Sequence, residues 1–183
     1  ELQEYRPMGN PHKFVAALLQ HFSRLQDEDV TSEDYLKHVN NELSQGYKKY
    51  TELKTAGSFL DFGDLISYTL KLFRIRPQIL KKYQDKFKYI LVDEFQDTNY
   101  AQNQLVNLIA GRDQNLTVVA DDDQAIYRWR GAAISNVIQF RKTYTKAKLV
   151  TLVQNYRSTQ EILDRAYDLI QHNNPDRLEI AEK

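Results

Sequence analysis

The chain has 183 residues, of which 42% are hydrophobic, so it can bury a sizeable core as one large domain or as pieces of two. Its 25 Lys and Arg residues balance its 25 Asp and Glu residues, so any nucleic-acid contact must come from local basic patches and stacking. The absence of cysteine excludes disulfides, thiolate zinc sites and cysteine nucleophiles, and fits a reducing cytosol.

The first part of the chain carries the pattern of helices. Apolar residues recur every three or four positions over residues 14–25, which predicts an amphipathic helix. Thr31 and Ser32, followed by two acids, are signals for the start of a second helix. Either Gly46 or Gly57 is expected to end that helix.

Two more helices are predicted next, and after them the sequence pattern changes from that of helices to that of strands. Asp61 leads into one predicted helix and Pro77 opens another, so the first 85 residues are expected to be all helical. Residues 89–92 and 116–120 are continuous apolar runs, which predicts two strands buried on both faces. A helix that starts near Thr98 or Asn99 and ends at Gly111 joins them.

The alternation continues toward the end of the sequence. We predict a helix over residues 132–140, a third strand over residues 149–153 and a long helix from Ser158 to about Gln171. Strands that alternate with helices indicate an α/β fold with a parallel sheet, preceded here by an all-helical subdomain.

Polar residues follow two of the predicted strands. Asp93 and Glu94 close the first one, in the arrangement where the Asp holds hydrated Mg²⁺ and the Glu orients or deprotonates an attacking water. Gln96 and Asp97 are expected to organise the same turn. An exposed acidic turn is the alternative interpretation, because Asp-Glu pairs are common.

The second polar stretch combines acids, aromatic residues and arginines. Three consecutive acids that begin at Asp121 repel one another unless a cation or solvent offsets their charge. They therefore indicate a metal or phosphate site, or a solvated loop. Tyr127 and Trp129 then alternate with Arg128 and Arg130, which offers flat faces for bases and cations for phosphates. An aromatic stripe of this kind also occurs in protein cores.

Three strings in register resemble one known family. DEFQDTN, DDDQAIYRWRGA and NYRST are similar to motifs II, III and IV of the Rep/UvrD/PcrA-like superfamily 1 DNA helicases, in order and at about the family's spacing. The resemblance covers residues 92–159 and implies a partial RecA-like (P-loop NTPase) sheet. It also implies a parent enzyme that uses ATP and Mg²⁺ to move 3′ to 5′ along single-stranded DNA and unwind duplex DNA.

The resemblance assigns roles around the nucleotide. Asp93 corresponds to the Mg²⁺ ligand, Glu94 to the catalytic base and Gln124 to the glutamine that senses the γ-phosphate. Arg130 and Arg157 are similar to the arginines that reach the nucleotide, and Arg157 matches the one on the γ-phosphate. A planar guanidinium suits the charge that develops during phosphoryl transfer.

Aromatic residues are assigned to bases by the same resemblance. Tyr127 and Trp129 match the platform on which bases of the translocating single strand stack, and Trp129 is the stronger candidate. Tyr156 matches the aromatic residue that stacks near the adenine. Asn155, Ser158 and Thr159 are expected to cap the helix that follows.

One further element resembles the family but departs from it. Asp61 and Asp64 lie in DFGDL, which is similar to the family's DFDDL near the DNA path, although Gly63 stands in place of an acid. A DNA-related role of these two acids and a plain helix start therefore stay open as alternatives. Ala120 stands where the family usually has Gly before the acidic run, which predicts a slightly tighter turn.

The expected organisation is that of an internal piece of a longer protein. The chain opens without an initiator Met or leader, has no apolar run near the roughly 20 residues of a membrane span, and lacks G-x-x-x-x-G-K-[ST]. By resemblance, residues 1–56 form a helical 1B-like subdomain, 57–148 the latter part of domain 1A and 149–183 the start of domain 2A. Neither Mg²⁺ nor ATP is then expected to bind this piece tightly, and the piece alone is expected to be inactive.

The expected partners are single-stranded DNA and 3′-tailed duplex DNA, with no membrane, in the bacterial cytosol or nucleoid. Two alternatives belong to other classes. One is the helicase subunit of a helicase–nuclease, and the other is an ATPase-dead module that binds DNA or protein.

Overall fold

A computed structural model describes residues 9–39, 41–124 and 134–173. Within them the chain is mostly helical, with a small two-stranded parallel sheet near the middle. None of the helices in these ranges is long and apolar enough to cross a membrane.

The described residues before the sheet form helices throughout, as the sequence predicts, although there are five helices where four were predicted. They are α1 (Pro11–Asp27), α2 (Ser32–His38), α3 (Glu42–Gly57), α4 (Phe62–Ile75) and α5 (Pro77–Lys86). The predicted caps are confirmed: Thr31 accepts from the N–H of Asp34, Asp61 accepts from the N–H of Asp64, and Pro77 is the first residue of α5.

One helix of the sequence prediction is two helices in the structure. α2 ends at His38, and α3 begins at Glu42 rather than continuing the same helix. Asn41 caps α3 in a capping box with Ser44, which restarts the helix and explains the break. Gly57, one of the two predicted ends, is the last residue of α3.

The sheet consists of β1 (Ile90–Val92) and β2 (Leu116–Val118), which run parallel with Ile90 opposite Leu116. α6 (Tyr100–Ala110) joins them, with Asn99 as its N-cap and Gly111 at its end, as predicted. The N–H of Val119 donates to the carbonyl of Val92 at 2.8 Å, which extends the pairing past the end of β2.

The prediction that both strands are buried on both faces is wrong for the described residues. The side chain of Leu91 is 75% exposed, and in both strands the middle residue is exposed while its neighbours are half-buried. Two strands of three residues leave one face without a covering layer, so only the other face contributes to packing.

The predicted third strand is also wrong. Residues 149–153 form no strand, and Leu152 and Val153 are 84% and 92% exposed. A strand requires a hydrogen-bonding neighbour, and the described residues offer none at this segment. The flanking helices α7 (Ile134–Thr143) and α8 (Gln160–Ile170) do form, close to their predicted positions.

The best-packed core lies among the first helices and the turn that follows β1. Phe22 of α1 stacks with Tyr47 and Tyr50 of α3, at ring-centroid distances of 5.1 and 5.5 Å. Leu70 of α4 and Phe95 after β1 are fully buried. The turn that follows β1 is therefore anchored in the core by Phe95.

Candidate nucleotide-side site at the strand ends

Asp93 and Glu94 directly follow β1, and both side chains are exposed. Glu94 has a φ of 50°, the left-handed conformation that turns the chain sharply out of the strand. Its N–H donates to Oδ1 of Asp93 at 3.0 Å. The two carboxylates thus share one turn at the carboxyl edge of the sheet, where open parallel sheets bind ligands.

Gln96 joins this turn to the end of the second strand. Its side chain is 1% exposed, its Nε2 donates to Oε2 of Glu94 at 2.6 Å, and its Oε1 accepts from the N–H of Asp121 at 3.0 Å. A buried amide that satisfies one acceptor and one donor holds both partners in place. Sequence reasoning gave Gln96 a role inside its own turn, and the structure extends that role to the second strand end.

The acidic run after β2 is folded back on itself. Asp121 accepts from Nε2 of Gln124 at 2.6 Å and from the N–H of Asp123 at 3.1 Å. Asp121 and Gln124 are both exposed. These hydrogen bonds offset part of the repulsion among three consecutive acids, so the run forms an ordered turn beside Glu94.

The other predicted nucleotide and DNA residues fall into two groups. Tyr127, Trp129 and Arg130 lie outside the described residues. Tyr156 is 88% exposed and Arg157 is exposed. Of the predicted capping residues, Thr159 is the N-cap of α8. Asn155 instead accepts from the N–H groups of Arg157 and Ser158 at 2.8 and 2.9 Å, and so shapes the turn before α8.

Asp61 and Asp64 lie in a buried ionic cluster away from the strand ends. Nζ of Lys54 is 2.6 Å from Oδ2 of Asp61 and 2.7 Å from both carboxylate oxygens of Asp64. Gln26 donates to both acids at 3.1 and 2.9 Å, and Tyr50 donates to Asp61 at 2.9 Å. The cluster joins α1, α3 and α4, so these acids already have partners within the chain.

The surroundings shift the acid–base behaviour of this cluster. Burial alone would raise the pKa of Asp61, but the hydrogen bond from Lys54 and further hydrogen bonds from Asp64 and Tyr50 lower that pKa to about 2. Burial and the neighbouring Asp61 carboxylate raise the pKa of Tyr50 to about 12. Asp61 is therefore held ionised near neutral pH.

A second link runs from the first helix to the residues after the Asp-Glu turn. Nδ2 of Asn99, the N-cap of α6, donates to Oδ1 of Asp27 at 2.7 Å. Burial, followed by the charge of Glu28, raises the pKa of Asp27 to about 6. Sequence analysis did not identify Gln26, Asp27 and Lys54, because contacts between different helices leave no regular spacing in the sequence.

The described residues at the strand ends offer only part of a Mg²⁺ coordination shell. Among the described residues no group of three or more His, Cys, Asp or Glu side chains is arranged to hold a metal. Asp93 offers exposed carboxylate oxygens, the ligand type that Mg²⁺ prefers. One carboxylate suits a Mg²⁺ ion whose other ligands are phosphate oxygens and waters.

The described residues also surround a cavity of about 470 Å³ at the opposite end of the strands. Leu80, Gln84, Ile90 and Asn115 are among the residues that line it, and none of the predicted site residues does so. Because the carboxyl ends of parallel strands carry the paired polar turns, we place the candidate site there rather than at this cavity.

Comparison with known proteins agrees with the motif resemblance. Residues 3–145, more than half of the chain, match the family model of the UvrD/REP helicase N-terminal domain. The chain is 47% identical over 167 residues to the ATP-dependent DNA helicase PcrA of Staphylococcus epidermidis, covering 89% of this chain and 22% of that protein. It is 44% identical over 169 residues to the ATP-dependent DNA helicase PcrA of Bacillus subtilis, covering 90% of this chain and 23% of that protein. The chain thus spans roughly a fifth of the length of these curated relatives.

Proposed function

The chain belongs to the UvrD/REP helicase family, and from that premise we propose that it is part of an ATP-dependent DNA helicase. The whole protein would hydrolyse ATP to move 3′ to 5′ along single-stranded DNA and separate 3′-tailed duplexes, in the bacterial cytosol or nucleoid. One observation carries the proposal: two polar turns of helicase type end adjacent parallel strands and are hydrogen-bonded to each other through Gln96.

The architecture of the whole is part of the proposal. The parallel β1–α6–β2 unit is the arrangement expected of a RecA-like sheet, of which it would be a portion. Residues 1–56 would be a 1B-like helical subdomain, 57–148 the latter part of domain 1A and 149–183 the start of 2A.

At the first turn, Asp93 would hold Mg²⁺ and Glu94 would orient and deprotonate the attacking water. The metal, when bound, neutralises charge on the phosphates during phosphoryl transfer. The bond from Gln96 fixes Oε2 of Glu94 and leaves its other carboxylate oxygen for the water. The exposure of Asp93 and Glu94 gives a nucleotide access to both carboxylates.

Further residues would act on the nucleotide from the second turn and from beyond it. Gln124, whose amide can donate and accept, would sense the γ-phosphate, and Asp121 would hold Gln124 in place. Arg130 and Arg157 would stabilise charge that develops on the phosphates, and Tyr156 would stack near the adenine. The exposure of Tyr156 and Arg157 leaves both side chains available for such contacts.

Tyr127 and Trp129 would stack on bases of the DNA strand, directly after the Gln124 turn. Each such stack contributes about 1–3 kcal/mol per base. Because the sequence contains no G-x-x-x-x-G-K-[ST] loop to hold the phosphates, this chain alone would bind DNA without turning over ATP.

A binding titration tests the proposal directly. Fluorescent single-stranded oligonucleotide is titrated with the chain at several salt concentrations, with and without Mg²⁺ and ATP. We expect salt-sensitive binding that Trp129→Ala weakens by about 1–3 kcal/mol, while Tyr89→Ala, an exposed aromatic residue at the amino end of β1, leaves it unchanged. No binding at any salt by a folded sample would overturn the DNA-binding part of the proposal.

A further inference from the structure

The cavity of about 470 Å³ at the amino ends of the strands has an apolar lining. Leu80 and Phe87 contribute to it from α5 and the residue after that helix, Ile90 from the start of β1, and Ala110 from the end of α6. Its volume falls within the roughly 300–1,000 Å³ of clefts that bind ligands. The proposed nucleotide and DNA contacts lie elsewhere, so they leave this cavity without an assigned role.

A close approach between Gln84 and Gly111 shapes the wall of the cavity. Nε2 of Gln84 donates to the carbonyl of Leu108 in the last turn of α6, at 2.8 Å. Gly111 has a φ of 56°, and a Cβ at that position would lie 2.7 Å from Nε2 of Gln84. The amide is thus held at the wall by one bond, and its Oε1 is an acceptor of the kind that a peptide N–H requires.

Positive charge surrounds the cavity. Three cations and one acid line it, which are Lys81, Lys88, Arg112 and Asp113. Residues 77–88, which include all of α5, carry four lysines and a single acid, Asp85. Nζ of Lys81 and Nζ of Lys88 lie 2.8 and 3.7 Å from the same oxygen of Asp85, and one carboxylate cannot neutralise two ammonium groups. The two lysine side chains are 67% and 59% exposed, so a partner's carboxylates can reach them.

Nucleic acid is the other polyanion that this charge could attract, and the aromatic residue of the cavity argues against it. The ring of Phe87 stacks with Tyr83 at a centroid distance of 6.2 Å, and Nζ of Lys86 lies 5.4 Å from its centroid. Binding of single-stranded nucleic acid depends on open aromatic faces on which bases stack. The ring already has two partners within the chain, whereas an aliphatic side chain needs only a concave apolar surface.

We propose that this cavity is a docking site for an acidic segment of a partner protein. An apolar side chain of that segment, of the size of leucine, enters the cavity beside Leu80 and Ile90. Carboxylates on either side of it pair with Lys81, Lys88 and Arg112, which sets the orientation of the segment. The docking site lies at the opposite edge of the sheet from the Asp-Glu turn, and it does not depend on the proposed function.

The test titrates the isotope-labelled 183-residue chain with the peptide acetyl-Glu-Asp-Asp-Leu-Glu-Asp-Glu-amide and follows backbone amides by NMR. We expect the largest shifts at Gly111, Arg112 and Asn115, which line the cavity, and none at Asp93. Serine in place of the peptide's leucine should weaken binding about ten-fold, because the apolar contact is lost. Higher salt should also weaken binding, since the lysines around the cavity are exposed.

Charge reversal at the rim provides the matched pair of variants. Lys81→Glu should weaken peptide binding about five-fold or more. Lys37→Glu is the control, because Lys37 is also an exposed lysine paired with an acid of its own helix, Asp34 at 3.3 Å, but lies on α2. Equal weakening by the two variants, or unshifted cavity amides, would overturn the proposal. Larger shifts of those amides with single-stranded oligonucleotide than with the peptide would assign the surface to nucleic acid instead.

The same peptide separates a docking site from a contact inside the whole helicase. When this chain replaces the matching segment of the Staphylococcus epidermidis PcrA, we expect the peptide still to bind and Lys81→Glu still to weaken it. Loss of peptide binding in that protein would show that another part of the helicase covers the cavity. That outcome would also overturn the proposal.

Discussion

Nζ of Lys54 lies 2.7 Å from both carboxylate oxygens of Asp64, with the two side chains 8% and 5% exposed. Oδ2 of Asp61 lies 2.6 Å from the same nitrogen. Two acids thus share one cation between α3 and α4, and the Asp61 side chain is 31% exposed while that of Asp64 is buried. Removal of that cation leaves a buried and a half-buried carboxylate without compensation, which is far more costly than the loss of a surface pair.

We therefore expect Lys54→Ala to lower the free energy of unfolding by about 3–5 kcal/mol at pH 7. Lys49→Ala is the control, because Lys49 pairs with Glu52 at 3.3 Å on the same helix but both side chains are exposed, which predicts a change below about 1 kcal/mol. Urea unfolding measures both. Equal losses in the two variants would contradict a structural role for the cluster.

The glycine that departs from the family pattern makes room for Gln26. A Cβ at Gly63 would lie 2.4 Å from Oε1 and 2.6 Å from Cδ of Gln26, a buried side chain held by both acids. Gly63→Ala should lower the free energy of unfolding by about 1–3 kcal/mol, and the loss should shrink in a Gln26→Ala background.

Gly46 provides the opposite case for comparison. A Cβ there meets Phe22 at an ordinary 3.6 Å inside α3, so Gly46→Ala should stabilise the chain by about 0.5–1 kcal/mol. Chemical unfolding of the single and double variants gives all of these values. An identical effect of Gly63→Ala with and without Gln26 would show that the two positions are independent.

Asp27 should make the stability depend on pH. Its folded-state pKa of about 6 lies above the ordinary value for an aspartate, so the folded chain holds the proton more tightly and loses stability as pH rises from about 4 to 6. Asp27→Asn keeps an oxygen for the hydrogen bond from Asn99 and should remove this loss. Because the carboxyl is half exposed, we expect a gain of about 1 kcal/mol at pH 7 and little at pH 4.

The measurement is the free energy of unfolding of both proteins at several pH values. Asp168→Asn, an exposed acid of α8, should leave the pH profile unchanged. A profile of Asp27→Asn parallel to that of the wild type would contradict the assignment.

The unpaired segment at residues 149–153 should be visible in hydrogen exchange. Its amides lie outside any strand, whereas the amide of Val119 is bonded to Val92 at 2.8 Å. We expect the segment to exchange at least about 100-fold faster than the amide of Val119 at pH 7. Comparable protection of the two would mean that residues 149–153 have found a strand partner.

The proposed role of Glu94 as the catalytic base can be tested inside a complete helicase. When this chain replaces the matching segment of the Staphylococcus epidermidis PcrA, Glu94→Gln should lower the DNA-stimulated ATPase rate about 100-fold or more. Asp85→Asn, at an exposed surface pair on α5, should leave that rate unchanged. An undiminished rate in Glu94→Gln would exclude Glu94 as the base.

The sequence by itself determined the local elements and the family. Capping residues such as Asp61 and Asn99 and the apolar runs that became β1 and β2 act within a few residues of each other, so their signals survive in the linear order. The order of the motif strings likewise predicted the family that the comparisons show. The roles of individual site residues in that family stay predictions.

Only the tertiary structure decided what depends on partners distant in the chain. The failed third strand had the right composition but no neighbour to bond, and the exposure of Leu91 depends on what covers the sheet. Lys54 and Gln26 reach Asp61 and Asp64 from separate helices, and Gln96 bonds to Asp121, which lies 25 positions further along the chain. These contacts depend on how the elements pack, which local sequence patterns do not encode.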